Sequence, residues 1–283
     1  MNKFVLALCA LGLSVCTSAQ TDSTSKDTTG MNKRDTIKVG GITIIRYPGS
    51  DSSKNKTQVL LSRERNRYKK PSNVSTNWWV VDLGFANFND NSNYAAAATS
   101  GFTGPGIGAD QFELRTGKSV NVNIWLFWQR LNLIKHIVNL KYGLGVELNN
   151  YRFDDEQVRF SRNPTRIALD PTLQGVKKNK LAADYVTVPL MLNFNFRPGY
   201  KNAFGLSGGI SAGYLYSARQ KIKDGDDKSK INDDFSLERW KLSYIGELSL
   251  GVVRLYGSYA VNNMWDQGLN QRPYNVGLRL SRW

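Results

Sequence analysis

Apolar and polar side chains alternate with a period of two in eight separate segments, and this pattern most constrains the fold. Successive side chains of a β-strand point to opposite faces, so each segment builds one apolar and one polar face. Val120, Val122, Ile124, Leu126 and Trp128 alternate with Asn121, Asn123, Trp125, Phe127 and Gln129. Val138, Leu140, Tyr142, Leu144, Val146 and Leu148 alternate with Asn139, Lys141, Gly143, Gly145, Glu147 and Asn149. The run from Val186 to Phe196 does the same against Thr187, Pro189, Met191, Asn193 and Asn195, and weaker versions begin at Trp79, Phe204, Trp240, Val253 and Tyr274. The connections are long at 89–117, 154–183, 219–238 and 263–272, and short at 130–136, 197–202 and 251–252. An even strand number, segments of about ten residues and loops sorted by length to opposite ends belong to outer-membrane barrels. A soluble sandwich has no reason to sort its loops in this way. The expected fold class is therefore all-β, an eight-stranded antiparallel transmembrane β-barrel over 77–283 with short periplasmic turns and long extracellular loops.

The N-terminus fixes the compartment. Lys3, the apolar stretch Phe4 to Val15 and Thr17-Ser18-Ala19 form the n-region, h-region and cleavage site expected of a signal peptide over 1–19. Val15 precedes Cys16 where lipoprotein processing wants a small residue, so lipidation is not expected. Both cysteines, Cys9 and Cys16, leave with the signal, and no disulfide or thiolate metal site follows. The formal charge of +15 would invite nucleic acid as a partner, but export takes the chain away from it. No interior run reaches the roughly 18 apolar residues of a membrane helix.

Residues 20–76 carry 12 bases against 5 acids and are expected to form a basic, largely flexible periplasmic segment. Within it, Ile37 to Ile44 alternates around Gly40-Gly41 and predicts a small hairpin. Arg63 to Lys70 is a solvated linker or a contact for anionic phospholipid or lipopolysaccharide head groups.

With the apolar phase toward lipid, Leu144 and Leu190 fall near mid-membrane, and Trp78, Trp79, Trp128, Tyr151, Trp240 and Trp283 are placed in the interfacial girdles. The lumen then receives Asp82, Glu147 and Glu247 together with Lys141, Lys241, Arg254, Arg279 and the neutral Asn193. An eight-stranded barrel is only wide enough for its own side chains, so these acids and bases should pair. Glu247 and Arg254 are the pair expected to meet, across the turn at Gly251 and Val252, whereas Lys141 and Glu147 lie on one strand and need not touch. The census describes a charge-plugged barrel or, as the alternative, a gated narrow pore.

The remaining candidates are weaker. His136, the only histidine, falls in a short periplasmic turn, away from any loop carboxylate that could complete a triad or a metal site. Asp224, Asp226, Asp227, Asp233 and Asp234 lack the ligand ladder of a calcium loop, and Asp154-Asp155-Glu156 is read likewise as solvated. Gly101 to Gly108 lacks the Lys-Ser/Thr step of a phosphate loop and is expected to be a mobile loop.

Asp35-Thr36-Ile37-Lys38-Val39-Gly40, Phe112-Glu113-Leu114, Gly117-Lys118-Ser119, Gln129-Arg130-Leu131-Asn132-Leu133, Tyr142-Gly143-Leu144-Gly145 and Asn149-Asn150-Tyr151-Arg152-Phe153 resemble the PorT-like outer-membrane β-barrel proteins of Bacteroidota. Lys178-Asn179-Lys180-Leu181, Val188-Pro189-Leu190 and Asn275-Val276-Gly277-Leu278 extend the resemblance. It implies an outer-membrane barrel, with one branch of the family linked to a secretion and gliding apparatus, and it transfers no catalytic motif. One departure is Trp283, which shares phase with Arg279 and Ser281 instead of the lipid face. The expected function is non-enzymatic: a structural, binding or secretion-associated outer-membrane component without cofactor, whose partners are outer-membrane lipids including lipopolysaccharide and an envelope or secretion protein. A small-solute channel is the alternative, and a barrel-embedded hydrolase the third class.

Overall fold

A computed structural model describes residues 35–39, 42–47, 56–61, 72–199, 204–251 and 253–281. The expected signal peptide over 1–19, the basic stretch 63–70 and Trp283 lie outside these residues. The chain divides into two compact units, Met1–Arg65 and Asn66–Trp283.

In the first unit, β1 (Asp35–Val39), β2 (Ile42–Tyr47) and β3 (Lys56–Leu61) form an antiparallel sheet. Val39 pairs with Ile42, as expected of the Gly-Gly hairpin, and β3 then adds to β2. A two-stranded hairpin is marginal in water, and a third strand raises the number of ladder bonds that hold it.

The second unit contains β4 (Val74–Asp90), α1 (Tyr94–Thr99), β5 (Val120–Ile134), β6 (Val138–Arg152), β7 (Val158–Phe160), β8 (Ile167–Leu169) and β9 (Lys178–Asn195). It continues through β10 (Phe204–Asp224), β11 (Asp227–Asn232), β12 (Trp240–Leu250), β13 (Val253–Ala260) and β14 (Gln271–Leu280). The first barrel strand begins at Val74, ahead of the boundary placed at Asn77. Strands β4, β5, β6, β9, β10, β12, β13 and β14 pair antiparallel in that order, and β14 returns to β4 from Gln271 opposite Asp90 to Leu280 opposite Val81. The ring is therefore closed and leaves no barrel edge unpaired. No helix among the described residues is long and apolar enough to cross a membrane; the crossing is made by strands.

Burial follows the alternation, but inverted relative to a soluble protein. On β6, Asn139, Lys141, Glu147 and Asn149 are buried while their apolar neighbours face outward. Leu190 is 47% exposed and Asn193 only 6%. Leu83, Phe85, Val188, Leu192, Ile210, Tyr244 and Val276 continue the outward apolar band around the ring. Apolar outside and polar inside is the arrangement demanded by lipid.

Two aromatic assignments change. Trp78, Trp79 and Trp240 are exposed, with Trp240 packed edge-on against Tyr214 at 5.1 Å, but Trp128 and Tyr151 are each 1% exposed. The β5–β6 ladder slips between Trp125, opposite Gly145, and Phe127, opposite Leu144. The extra residue, Leu126, reverses the phase of β5 and sends Trp128 inward, the normal effect of a β-bulge. Tyr151 simply shares the inward parity of Glu147 and Asn149.

The long connections are folded. Phe102 and Phe112 from the first, Phe153, Phe160 and Ile167 from the second, Phe235 and Leu237 from the third, and Met264, Trp265 and Leu269 from the fourth share one buried cluster. Phe160 stacks on Trp265 at 5.8 Å and lies 5.5 Å from Phe235. The stretch Gly101–Gly108 is thus not the mobile loop expected: Phe102 and Ile107 are buried, and Gly104 donates its N–H to Ile167 O at 2.7 Å. The connection 219–238 is also not one loop, because β10 runs on to Asp224 and turns into β11. The first correction has a plain cause: apolar residues spaced without a period cannot be assigned to a strand or helix, yet still bury one another.

Candidate functional site

Parity on the strands aims seven charged side chains into the barrel. Asp82 comes from β4, Lys141 and Glu147 from β6, Lys241 and Glu247 from β12, Arg254 from β13 and Arg279 from β14; none is more than 6% exposed. Arg279 is the hub. Its Nε and Nη2 donate to Asp82 Oδ1 and Oδ2 at 2.7 and 2.8 Å, and its Nη1 donates to Glu247 Oε2 at 2.5 Å. Lys141 Nζ donates to the other oxygen of Glu247 at 2.5 Å, giving a continuous chain Lys141–Glu247–Arg279–Asp82 across the lumen. A second pair joins Lys241 to Glu147, whose Oε1 also accepts from Asn275 Nδ2 at 3.0 Å and Asn149 Nδ2 at 3.2 Å.

The close partners of Glu247 are Lys141 and Arg279, and Arg254 adds an electrostatic attraction to the same carboxylate. In the β12–β13 ladder Arg254 stands opposite Ser249 and Tyr256 opposite Glu247, and Arg254 also bonds Ser281. The pairs of Lys141 with Glu247 and of Lys241 with Glu147 join β6 to β12 across the barrel, whereas Arg279 and Asp82 are direct neighbours in the β14–β4 ladder.

Several residues outside the charge census complete the site. Trp125 Nε1 donates to Asp82 Oδ2 at 2.7 Å. The guanidinium carbon of Arg279 lies 4.5 Å from the centre of the Trp128 ring, 5.7 Å from Trp125 and 5.9 Å from Tyr256, so aromatic rings supply the faces that carboxylates leave open. Gly145 makes room for one of these rings, since a Cβ there would stand 2.7 Å from Trp125 Cε3 and 2.6 Å from Ile124 O. Asn121 Nδ2 donates to Asn123 and Asn149 at 2.9 Å each, and Tyr256 Oη donates to Asn121 Oδ1 at 2.5 Å. The signals were present in the sequence as Asn121 and Asn123 at alternate positions of β5 and as Gly143-Leu144-Gly145 facing it. Outside the lumen, Asp184 is 3% exposed and pairs with Arg219, an ion pair the strand pattern gave no reason to seek.

Between these layers lies a cavity of about 30 Å³, lined by Trp125, Trp128, Glu147, Met191, Tyr256 and Arg279. Such a volume holds one or two waters. The other candidates stand apart from it. His136 occupies the turn between β5 and β6. Asp226 sits exposed in the turn between β10 and β11. Asp154 and Glu156 bind Arg115 at 2.7 and 3.4 Å, and the bonded Asp154 carboxylate holds Arg115 above its ordinary range.

A closed eight-stranded ring with a lipid-facing apolar band and a polar interior defines an integral outer-membrane β-barrel protein. The chain belongs to the outer membrane protein beta-barrel domain family, whose family model matches residues 76–270. It therefore resides in the cell outer membrane. No curated protein matches the chain.

Proposed function

We propose that this protein is a non-enzymatic, non-conducting barrel with a charge-plugged lumen that serves as a structural or binding component of a larger envelope assembly. The observation that carries the reading is the chain in which Lys141 of β6 meets Glu247 of β12 across the lumen and Arg279 links Glu247 to Asp82, its neighbour on the adjoining strand. A hydrated ion or solute passing that level would have to displace four buried, mutually neutralising charges, each costly to leave unpaired. The apolar loop cluster around Phe160 and Trp265 adds a second closure at the other end. The assembly we favour is a secretion or related envelope complex, as the resemblance to PorT-like proteins of Bacteroidota implies. Support comes from the place of the shared residues: Tyr142-Gly143-Leu144-Gly145 seats Trp125 and Trp128, and Asn275-Val276-Gly277-Leu278 contributes Asn275 to the Glu147 cluster.

Planar-bilayer recording on the full chain tests the plug. The wild type should give no steady conductance, whereas Arg279→Ala combined with Trp265→Ala should open flickering currents; steady wild-type conductance would move the narrow-channel reading ahead. Affinity purification of the intact outer-membrane complex tests the assembly, and recovery of the barrel alone under gentle solubilisation would reject it.

A further inference from the structure

The strands that rise above the membrane carry a grid of cations on their outer face. Lys178 and Lys180 on β9, Lys221 and Lys223 on β10, and Lys228 and Lys230 on β11 each occupy alternate positions. The ladder puts them in register: Lys180 opposite Lys221 and Lys221 opposite Lys230 in one row, Lys178 opposite Lys223 and Lys223 opposite Lys228 in the next. Arg152 of β6 extends the first row, opposite Lys180. The intervening Asn179, Leu181, Gln220 and Ile222 are buried inward, so the lysines face away from the barrel axis.

Like charges directly opposite on neighbouring strands oppose sheet formation. Among the described residues none of these six lysines forms an ion pair with an acid. The nearby acids are placed elsewhere: Asp184 is taken by Arg219, while Asp224, Asp226 and Asp227 crowd the tip of the hairpin beyond the second row. Lysines on an edge strand can serve merely to block pairing with other chains. That accounts for Lys228 and Lys230 on β11, but not for the four lysines on β9 and β10, which are paired on both sides at these positions or lie beside such a pairing.

Height then selects the ligand. The outward apolar run of β9 begins at Val186, six positions after Lys180, and that of β6 ends at Leu148, four positions before Arg152. At about 3.3 Å per residue and a tilt of about 40°, the first row stands roughly 10–15 Å above the hydrocarbon. The head-group layer of an ordinary bilayer is only about 5–8 Å thick on each side. Two rows of cations at this height fit a lipid whose phosphates are carried on sugars above the glycerol level.

We propose that Arg152 and the six lysines bind the phosphorylated sugar head group of lipopolysaccharide in the outer leaflet. The full chain, refolded in detergent, is titrated with purified lipopolysaccharide, with the same lipid stripped of phosphate, with phosphatidylglycerol vesicles and with inorganic phosphate. Wild type should bind the phosphorylated lipid at least tenfold tighter than the stripped one, with an affinity that falls as salt rises. Lys178→Gln, Lys221→Gln, Lys223→Gln and Lys230→Gln combined should abolish that preference, while the four Lys→Arg changes preserve it and Lys135→Gln, in the short turn, leaves it unchanged. Retention of the preference in the Gln variant, or salt-independent wild-type binding, overturns the site. Equal binding to phosphatidylglycerol, or displacement by equimolar inorganic phosphate, overturns the choice of lipopolysaccharide. Heat-modified gel mobility monitors folding of each variant, and the wild-type salt dependence stands independently of any variant.

Discussion

Arg279 is tolerated inside the lumen because each side of its guanidinium meets a partner: Asp82 on two nitrogens, Glu247 on the third, and the rings of Trp128, Trp125 and Tyr256 around it. The same requirement makes the Glu147–Lys241 pair testable in isolation. Both residues are at most 6% exposed, and among the described residues each has its single ion pair with the other. Glu147→Gln should therefore cost about 3–5 kcal/mol, because Lys241 stays buried without its counter-ion. Removing Lys241 as well, as Met, should cost less than the two single changes together, with a coupling of about 0.5–3 kcal/mol. Urea titration of the protein refolded in lipid measures the cycle, and strict additivity would mean that the two charges act independently. At this scale the sequence exposed which charges point inward, since strand parity alone decides that. It did not expose who pairs with whom. Glu247 and Arg254 are close in the chain, yet Leu250 opposite Val253 places Ser249 opposite Arg254, and the 2.5 Å partners of Glu247 arrive from β6 across the barrel and from β14 two strands away.

Elements were legible where the period held and lost where one residue broke it. Segments β6, β9 and β14 keep one phase through the membrane, and their faces follow from the pattern of side chains alone. Strand β5 does not, because the bulge at Leu126 moves Trp128 from the lipid face to the lumen, where it packs edge-on against Trp125 at 5.1 Å. A bulge is invisible to periodicity when the residues on both sides of it are apolar, as in Ile124 to Trp128. The hairpin of β10 and β11 was hidden for the opposite reason: its outward face is lysine and its inward face is mixed, so no apolar alternation marks it. The lipid face gives a direct check. Leu190 lies mid-run on β9 and is 47% exposed, so Leu190→Arg should cost about 2–4 kcal/mol in lipid, and Leu144→Arg a similar amount. Asn193→Arg enters a lumen position bonded to Asn139 and Ser207, where neighbouring charge and space decide the outcome. Equal tolerance of all three in lipid refolding assays would show that the faces are wrongly assigned.

At the scale of the whole barrel, the long loops behave as a lid with its own core, and exposure within them is uneven. Ala98 on α1 and Asp226 at the hairpin tip are exposed, whereas Gly104 is buried where its loop bonds Ile167. Ile137, 45% exposed, lies in the turn at the opposite end of the ring. An impermeant maleimide applied to intact cells should therefore label Ala98→Cys and Asp226→Cys rapidly, Ile137→Cys only after the outer membrane is breached, and Gly104→Cys slowly despite its place in an extracellular loop. The slow site depends on the aromatic cluster, in which Trp265 contacts both Phe102 and Phe160. Trp265→Ala removes a large buried ring, a change that costs about 3–5 kcal/mol in a packed core. The loss falls on the lid and on one bond to the rim, where Trp265 Nε1 donates to Gln271 Oε1 of β14 at 2.8 Å, while the backbone ladder from β4 round to β14 stays in place. Trp265→Ala should accordingly raise labelling of Gly104→Cys toward the rate of Ala98→Cys while the heat-modified mobility of the barrel is unchanged. Labelling of Ile137→Cys but not Ala98→Cys on intact cells would invert the topology. Fast labelling of Gly104→Cys with Trp265 in place would instead leave the topology standing and remove the lid.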